Sequence, residues 1–403
     1  DILGFVLFRE QRMSGYEEFD DVEMKELFTQ ALTTKEAASA VTTTTAPPED
    51  SIITDTTSLA RILRYASIFT TNEGIYSHFF FMEDGVITTD GAFMFHGDLK
   101  DLPSATLPAK SVIKFLSVCP TDNVHWRYGK DKTSIIFESG SYKTQVANTY
   151  VSEIPSPKEL FGSPIDQISK KTRKEIKITA DIVNGLQKIA FCSVPYNDTG
   201  KQEIKGIRVE PNGLFSTDSY GIASVLMNTG IEEPFTLPTR LADFMVQYGL
   251  PPQSCFLMKD FIVVQYPKIR IIGRLNHFPY PAIVMSRILS FKPSASIAIE
   301  DSDAAKAGTL KRLAITDGSA ITLKPVGDSY IELSVTDMLG HKTSEVTSAR
   351  NDLKGSFMTG IRYFKGGYKL AKSIQVFDNG GDTVQIMFAN NDLHYLLLGK
   401  KAS

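Results

Sequence analysis

The sequence holds few of the residues that most often build metal sites, disulfides and covalent catalytic centres. Its 403 residues include three cysteines and six histidines. Cys119, Cys192 and Cys255 are far apart and each lies in an apolar stretch, which predicts small, reduced core residues. No two histidines have the helical spacing of a zinc site, and no glycine-rich phosphate loop is present. We therefore expect no metal, no cofactor and no enzymatic activity.

Long apolar runs are missing as well. No run approaches the roughly 20 residues that cross a bilayer, and the N-terminus lacks a basic region followed by an apolar core. Hydrophobic residues make up 42% of the chain and charged residues 22%, with a net charge of -3. That composition is ordinary for a soluble globular protein. We expect a cytoplasmic protein with no membrane partner.

What the sequence does contain is a long repeat. In one copy, Thr88-Thr89-Asp90-Gly91 is followed by Leu107-Pro108-Ala109-Lys110. In the next, Ser216-Thr217-Asp218-Ser219 is followed by Leu237-Pro238-Thr239-Arg240, about 130 residues later. A weaker third copy places a helix at 366–374, again about 127 residues further on. Solenoid units have about 20 to 50 residues, so a repeat of this length predicts a triplicated domain.

The repeat divides the chain into an extension and three domains. Residues 1–50 lie outside it and combine an acidic stretch at 17–26 with a proline-containing linker. That extension is expected to fold back on the body, to bind a partner, or to be poorly ordered. The predicted domains, each of ordinary size, are 51–165, 170–290 and 294–403.

Each predicted domain carries the same order of hydrophobic patterns. Apolar stripes at helical spacing, such as Ile182, Val183 and Leu186, are separated by short stretches in which apolar and polar residues alternate as in a strand. This order predicts a doubled β-α-β-β-β motif. Two such motifs bury both helices on one face of antiparallel sheets, so we expect an α+β fold. Asp90 and Asp218 lie at equivalent turns. A role in binding the turn's backbone amides is favoured over the alternative of paired catalytic acids.

The predicted helices carry cations outside their apolar stripes. Acids are few there, chiefly Asp181, Asp243 and Asp303, although the whole chain is acidic. Such a face is typical of sequence-independent contact with DNA phosphates, and a solvated lysine-rich face is the alternative. Its occurrence in all three repeats favours DNA. The candidate DNA-binding residues are Arg61, Arg64, Lys110, Lys114, Lys188, Arg240, Lys306, Lys311, Arg312, Lys365, Lys369 and Lys372.

Four segments follow, in order and spacing, the pattern of a known family. They are a strand and turn at 214–220, the start of a second helix at 237–240, a closing segment at 273–279 and an apolar C-terminal strand at 395–398. Together they resemble the DNA polymerase sliding clamps of the bacterial DNA polymerase III beta-subunit type. Tyr220 and Gly221 stand where that family usually has His-Arg, which suggests a divergent, viral or phage-like member.

The resemblance implies three DNA-clamp domains in a homodimeric ring around double-stranded DNA, in a bacterial or infected host cytoplasm. It also implies a groove between the second and third domains that binds short motifs of a DNA polymerase and possibly a clamp loader. A clamp-like adaptor for RNA polymerase or repair factors, and a monomeric clamp-fold decoy, are the alternatives. Carried over by position, the groove residues are Lys201, Ile204, Thr217, Ser219, Tyr220, Ile222, Pro238, Ala242, Leu396 and Leu398.

Overall fold

The computed structural model covers most of the chain after the predicted extension. The described residues are 52–83, 85–100, 102–130, 132–149, 174–195, 202–280, 292–316, 319–378 and 380–402. The predicted extension at 1–50 lies outside them. Within these ranges, no helix is both long enough and apolar enough to cross a membrane.

One order of elements occurs three times. The first repeat has β1 (Ile52–Asp55), α1 (Thr56–Ser67), β2 (His78–Met82), β3 (Gly85–Thr89), β4 (Phe93–Asp98), β5 (Ala105–Pro108), α2 (Ala109–Ser117), β6 (Asn123–Tyr128), β7 (Ser134–Ser139) and β8 (Tyr142–Ala147). The second has β9 (Lys174–Ile176), α3 (Ala180–Ile189), β10 (Ile207–Glu210), β11 (Gly213–Thr217), β12 (Gly221–Leu226), β13 (Phe235–Leu237), α4 (Thr239–Tyr248), β14 (Ser254–Leu257), β15 (Phe261–Tyr266) and β16 (Ile269–Arg274).

The third repeat has β17 (Ala295–Ile299), α5 (Asp303–Leu313), β18 (Ala320–Val326), β19 (Tyr330–Thr336), β20 (Lys342–Asn351), β21 (Ser356–Gly360), α6 (Ile361–Leu370), β22 (Ser373–Asp378), β23 (Thr383–Ala389) and β24 (Leu393–Ala402). Short 3-10 helices lie at Ile75–Ser77, Ala190–Cys192 and Gln202–Ile204. Each repeat thus contains two consecutive β-α-β-β-β units, and the predicted α+β fold with antiparallel sheets is confirmed.

The helices form where the sequence supplies both a cap and an apolar stripe. At the start of α1, a carboxylate oxygen of Asp55 accepts a hydrogen bond from the backbone N–H of Ser58 at 2.6 Å, which satisfies a donor that the helix itself cannot. Thr179 caps α3 and Ser302 caps α5 in the same way. The two helices of each repeat contact each other, α1 with α2, α3 with α4 and α5 with α6. Their buried stripes therefore form one layer on the sheets.

The first strand of each half crosses over to the other half's sheet. In the first repeat the strand orders are β5-β2-β3-β4 and β1-β6-β7-β8, and the second repeat follows the same rule with β13-β10-β11-β12 and β9-β14-β15-β16. In the third repeat β17 pairs with both β22 and β20, so its strands form one continuous sheet. The crossover ties the two halves of a repeat together through main-chain hydrogen bonds.

Successive repeats are joined by strand pairing. β4 pairs with β16, Ile269 opposite Gly97 through Gly273 opposite Phe93. β12 pairs with β24, Gly221 opposite Leu397 through Val225 opposite Leu393. The described residues accordingly divide into two compact units, one made of those in 52–176 and 252–274 and one made of those in 177–251 and 275–402. Both units take part of the second repeat, so the three predicted domain boundaries stay predictions.

The third-repeat helix predicted at 366–374 exists, but its predicted bounds are wrong. Helix α6 spans Ile361–Leu370, and β22 begins at Ser373. Gly366 and Gly367 lie inside the helix although glycine weakens helices, because aromatic rings pack against both. A Cβ at Gly366 would come within 2.4 Å of the Phe191 ring, and one at Gly367 within 2.6 Å of the Phe388 ring. Tertiary packing therefore sets the position of this helix.

Candidate nucleic-acid interface and partner groove

A threonine-aspartate turn is built identically in the first two repeats. Oδ1 of Asp90 accepts backbone N–H hydrogen bonds from Ala92 at 2.8 Å and Phe93 at 2.7 Å. Oδ1 of Asp218 accepts them from Tyr220 and Gly221, both at 2.9 Å. Each carboxylate thus satisfies two turn amides, and the predicted turn role of both aspartates is confirmed.

The third repeat has the same turn, although the repeat pattern in the sequence identified it only in the first two copies. Oδ1 of Asp337 accepts hydrogen bonds from the backbone N–H groups of Leu339 at 2.9 Å and His341 at 2.8 Å. The turn is one residue longer, because Thr336 pairs with Lys342 where Thr217 pairs with Ile222. Leu339 is therefore the structural equivalent of Tyr220 in the second repeat.

The helices of the first repeat present only positive charge. Arg61 and Arg64 of α1 are exposed, as are Lys110 and Lys114 of α2. Neither helix contains an acidic residue. These four predicted DNA-binding residues therefore lie on an exposed, cationic helix pair.

The second repeat lacks such a face, contrary to the prediction that all three repeats carry one. Arg240 is buried in α4, so its predicted exposed position is wrong. Nζ of Lys188 in α3 lies 2.5 Å from Oδ2 of Asp392, in an ion pair that neutralises the lysine. Because Asp181 and Asp243 lie on the same two helices, this helix pair carries no net positive charge.

In the third repeat, two of the predicted cations serve the fold. Lys306 is buried, and its Nζ donates to the carbonyl oxygen of Ala371 at 3.0 Å and lies 2.8 Å from Oδ1 of Asp303. Its predicted exposed position is wrong, because it binds a main-chain oxygen just past the end of α6. Arg312 is more than half exposed but its guanidinium bonds both carboxylate oxygens of Glu345.

The predicted DNA-binding residues of the third repeat that remain accessible lie mainly on and just after α6. Lys369 and Lys372 are exposed, Lys365 is half-buried, and Lys311 is exposed on α5. Arg362 is exposed on the first turn of α6 and was not predicted, because the predicted helix began at 366, five residues after the observed start at Ile361. With Arg362 included, α6 contains three cations and no acid.

The seam between the second and third repeats brings the predicted groove residues together in part. Ile222 of β12 lies opposite Leu396 of β24 in the antiparallel ladder. Tyr220, at the turn before β12, is 56% exposed and packs on Tyr363 of α6, with ring centroids 5.6 Å apart. Leu398 is 38% exposed further along β24. An aromatic pair and an apolar strand thus border an accessible surface, which we call the seam groove.

The turn that carries Tyr220 is constrained on several sides. Ser219 has a left-handed backbone with φ of 82°, where the first repeat has glycine. Gly221 has no room for a side chain, because a Cβ would lie 2.7 Å from the Tyr395 ring. Burial raises the pKa of the Asp218 carboxyl, although two amides and the nearby Arg362 guanidinium act in the opposite direction. This fixed turn holds the Tyr220 ring in place.

The raised pKa of Asp218 sets the sign of its effect on stability. An ionised Asp218 lowers the free energy of unfolding at pH values above its folded pKa, because burial penalises the charged form. The penalty disappears as the pH falls through the folded pKa towards the lower unfolded value. The carboxylate is thus retained at some cost for the turn that it organises.

Other predicted groove residues are buried. Pro238 is buried at the start of α4 and Ala242 is fully buried within it, so neither exposes a side chain to a peptide, and their groove role stays a prediction. Ile204 and Thr217 are buried too, and the Thr217 hydroxyl donates to the carbonyl oxygen of Gly221 at 2.7 Å. Lys201 lies outside the described residues.

The described residues offer little for catalysis or metal binding. No group of three or more His, Cys, Asp or Glu side chains that could hold a metal ion occurs in this part of the chain. The three cysteines are free thiols; Cys192 and Cys255 are buried and Cys119 is partly buried. Burial raises the pKa of Cys119 to about 11 and that of Cys255 to about 12, so both remain protonated near neutral pH.

Comparison with known proteins gives similarity at the level of structure. No family model and no curated protein sequence matches the chain. The DNA polymerase III beta subunit of Thermotoga maritima superposes with a TM-score of 0.64 at 12% identity, covering 88% of this chain and 100% of that one. The Bacillus subtilis DNA polymerase sliding clamp gives 0.60 at 14% identity, covering 88% and 99%. A Pseudomonas aeruginosa sliding clamp bound to griselimycin gives 0.60 at 12%, also covering 88% and 99%. The resemblance drawn from the sequence is confirmed for the fold.

Proposed function

We propose that this chain, which has the fold of the bacterial sliding clamps, is itself a sliding clamp. Two copies close into a ring around duplex DNA and tether a DNA polymerase through the seam groove. The observation that carries the proposal is the pairing between successive repeats, β4 with β16 and β12 with β24. Each junction joins the last strand of one repeat's first half to the last strand of the next repeat's second half.

Continued once more, this rule leaves two strands with open edges. β20 ends the first half of the third repeat, and over 342–347 it pairs with β19 alone in the described part of the chain. β8 ends the second half of the first repeat and, within the same ranges, pairs only with β7. An antiparallel ladder between β20 of one copy and β8 of another continues the pattern. Two such ladders close a ring of two chains.

The two junctions within the chain support one register for the proposed ladder. Phe95 opposite Ile271 and Ala223 opposite Tyr395 are equivalent pairs, counted from the preceding hairpin turns. By the same count, we propose that Thr343 of one copy lies opposite Thr144 of its partner. A shift of one residue would turn every side chain to the other face, so the register is testable.

The side chains of the two open strands agree with that register. Thr343 lies on the helix side of its sheet, where its hydroxyl is hydrogen-bonded to the hydroxyl of Thr316, which follows α5. On β8, Tyr142 stacks on Phe115 of α2 with centroids 5.5 Å apart, so Thr144, two residues on, also lies on the helix side. Residues that are paired across a ladder point to one face, as these two threonines do.

Two large apolar side chains lie exposed beside the open edge of β20. Met338 is 100% and Leu339 82% exposed at the β19–β20 turn. The equivalent turn in the second repeat places Tyr220 against Tyr363 of the next repeat. In the proposed ring, Met338 and Leu339 pack in the same way against the partner's first repeat. Exposed apolar side chains of this size at a sheet edge are typical of an interface.

The cationic helices supply the contact with DNA. Arg61 and Lys114 in the first repeat and Lys369 in the third are exposed. A closed ring holds DNA by topology, so a few sequence-independent phosphate contacts suffice and the ring can slide. The proposed partner is therefore double-stranded DNA of any sequence.

The seam groove supplies the tether. Tyr220 and Leu398 are exposed apolar groups at the β12–β24 junction, and Ile222 is partly exposed. A short peptide segment of a polymerase, and of a loader if one is used, would bury its own apolar anchors there. The groove needs no catalytic group, in keeping with a protein that acts by tethering.

Two measurements test the proposal. Sedimentation equilibrium at micromolar concentration should give the mass of two chains. The protein should be retained on nicked circular duplex during gel filtration, and cutting the circle once should release it. A stable monomer would support the decoy alternative. Equal retention on circular and linear DNA would contradict topological binding.

A further inference from the structure

The three helix pairs differ sharply in the positive charge that they expose. α1 and α2 hold four exposed cations and no acid. α5 and α6, with the adjacent Lys372, retain exposed cations after buried Lys306 and paired Arg312 are set aside. α3 and α4 have two cations, of which Arg240 is buried and Lys188 is paired with Asp392. The difference arises from burial and pairing, neither of which the sequence pattern displays.

We propose that duplex DNA is contacted by the first and third repeats alone, and that the second repeat is a neutral spacer. This inference rests on the proposed clamp function. Phosphate contact requires a cation that is exposed and not already neutralised by a carboxylate. Among the described residues, Arg61 and Lys114 of the first repeat and Lys369 of α6 meet that condition, and the helical cations of the second repeat do not.

In the proposed ring, this distribution places the positive charge at the joints between copies. The β20–β8 ladder sets the third repeat of one copy beside the first repeat of its partner. Two cationic helix pairs from different chains therefore flank each joint. Each neutral pair of the second repeat lies between two joints. The duplex is then held by two arcs of charge, each shared by both chains.

Three variants of equal charge change test this assignment. Arg61→Gln with Lys114→Gln removes two charges from the first repeat. Lys369→Gln with Lys372→Gln does so in the third. For the second repeat, Asn184→Glu with Gln187→Glu adds two acids at exposed positions of α3. All three variants lower the net charge by two, so any effect of net charge on DNA affinity is the same in each.

The measurement is the affinity for a fluorescent linear duplex as a function of KCl concentration, followed by anisotropy. Each lost phosphate contact reduces the steepness of log affinity against log salt by about 0.9. A ring of two chains loses four contacts, so the first-repeat and third-repeat variants should each reduce the steepness by about 3.6. The second-repeat variant should leave the slope and the affinity unchanged. Equal loss in all three variants, or a loss confined to the second-repeat variant, would overturn the inference.

The wild-type protein separates failure of this inference from failure of the proposed function. If the wild type is retained on nicked circular duplex and the three variants lose affinity equally, the clamp proposal stands and the spacer role of the second repeat falls. If the wild type shows no salt-dependent binding and no retention on the circle, both proposals fail. Mass and thermal melting of each variant exclude a loss of folding as the cause.

Discussion

Leu339 gives the sharpest test of the proposed ring. Its side chain is 82% exposed in a single chain, and burying a leucine stabilises an association by about 2 kcal/mol. Leu339→Ala should therefore remove about 2 kcal/mol at each joint, or about 4 kcal/mol from a ring with two joints. Since 1.4 kcal/mol corresponds to about a factor of ten, the dissociation constant of the dimer should increase by roughly a thousandfold.

Sedimentation equilibrium over a dilution series measures that change. Leu250→Ala is the matched control, because Leu250 is also exposed, at 62%, but lies after α4 in the second repeat, away from the proposed joint. The control should leave the dissociation constant unaltered, and neither substitution should change the melting temperature of the isolated chain. If the dimer dissociation constant of Leu339→Ala is within threefold of the wild-type value, the proposed joint is wrong.

Three further predictions follow from the register, the groove and the Asp218 turn. Thr144→Cys combined with Thr343→Cys should form a disulfide between chains on oxidation. The control, Gln145→Cys with Thr343→Cys, should not form one. Equal disulfide yields of the two variants on non-reducing gels would refute the register. Tyr220→Ala should abolish stimulation of the cognate polymerase while retention on nicked circles persists; loss of both would contradict a separate groove. Asp218→Asn should raise the melting temperature at neutral pH, because its amide oxygen still accepts from the turn amides without the buried charge, and the gain should shrink as the pH falls.

Much of the fold could be predicted from the sequence, because local patterns determine most of its elements. The stripe of Ile182, Val183 and Leu186 is buried in α3 as predicted, and the cap of that helix is Thr179. The doubled motif implies the short strands β5, β13 and β21, but their positions were not predicted, since three to five residues carry too little periodicity. Helix α6 was misplaced because its two glycines are tolerated only through distant aromatic rings.

The candidate site was predicted less completely, for a physical reason. Whether a helical cation is exposed depends on groups far away in the sequence. The Lys306 ammonium binds the carbonyl of Ala371, 65 residues on, and Lys188 pairs with Asp392, 204 residues on. No local pattern reports such partners. The strand order of the repeat brings the segments of Tyr220 and Leu396 together at the β12–β24 junction, and their role in a groove stays a prediction.

The proposed joint differs in chemistry from the two junctions within the chain. Those junctions pair Phe95 with Ile271 and Ala223 with Tyr395, all buried. The third would pair Thr343 with Thr144, flanked by polar residues on both strands.

A polar open edge limits uncontrolled strand pairing by the free chain, because it lacks the apolar surface that drives aggregation. It also makes the proposed joint weaker than the two junctions within the chain, whose paired strands belong to one covalent chain. A clamp must open to admit DNA, and the ring should therefore open where its pairing is polar, with Met338 and Leu339 as the main apolar groups that close it again.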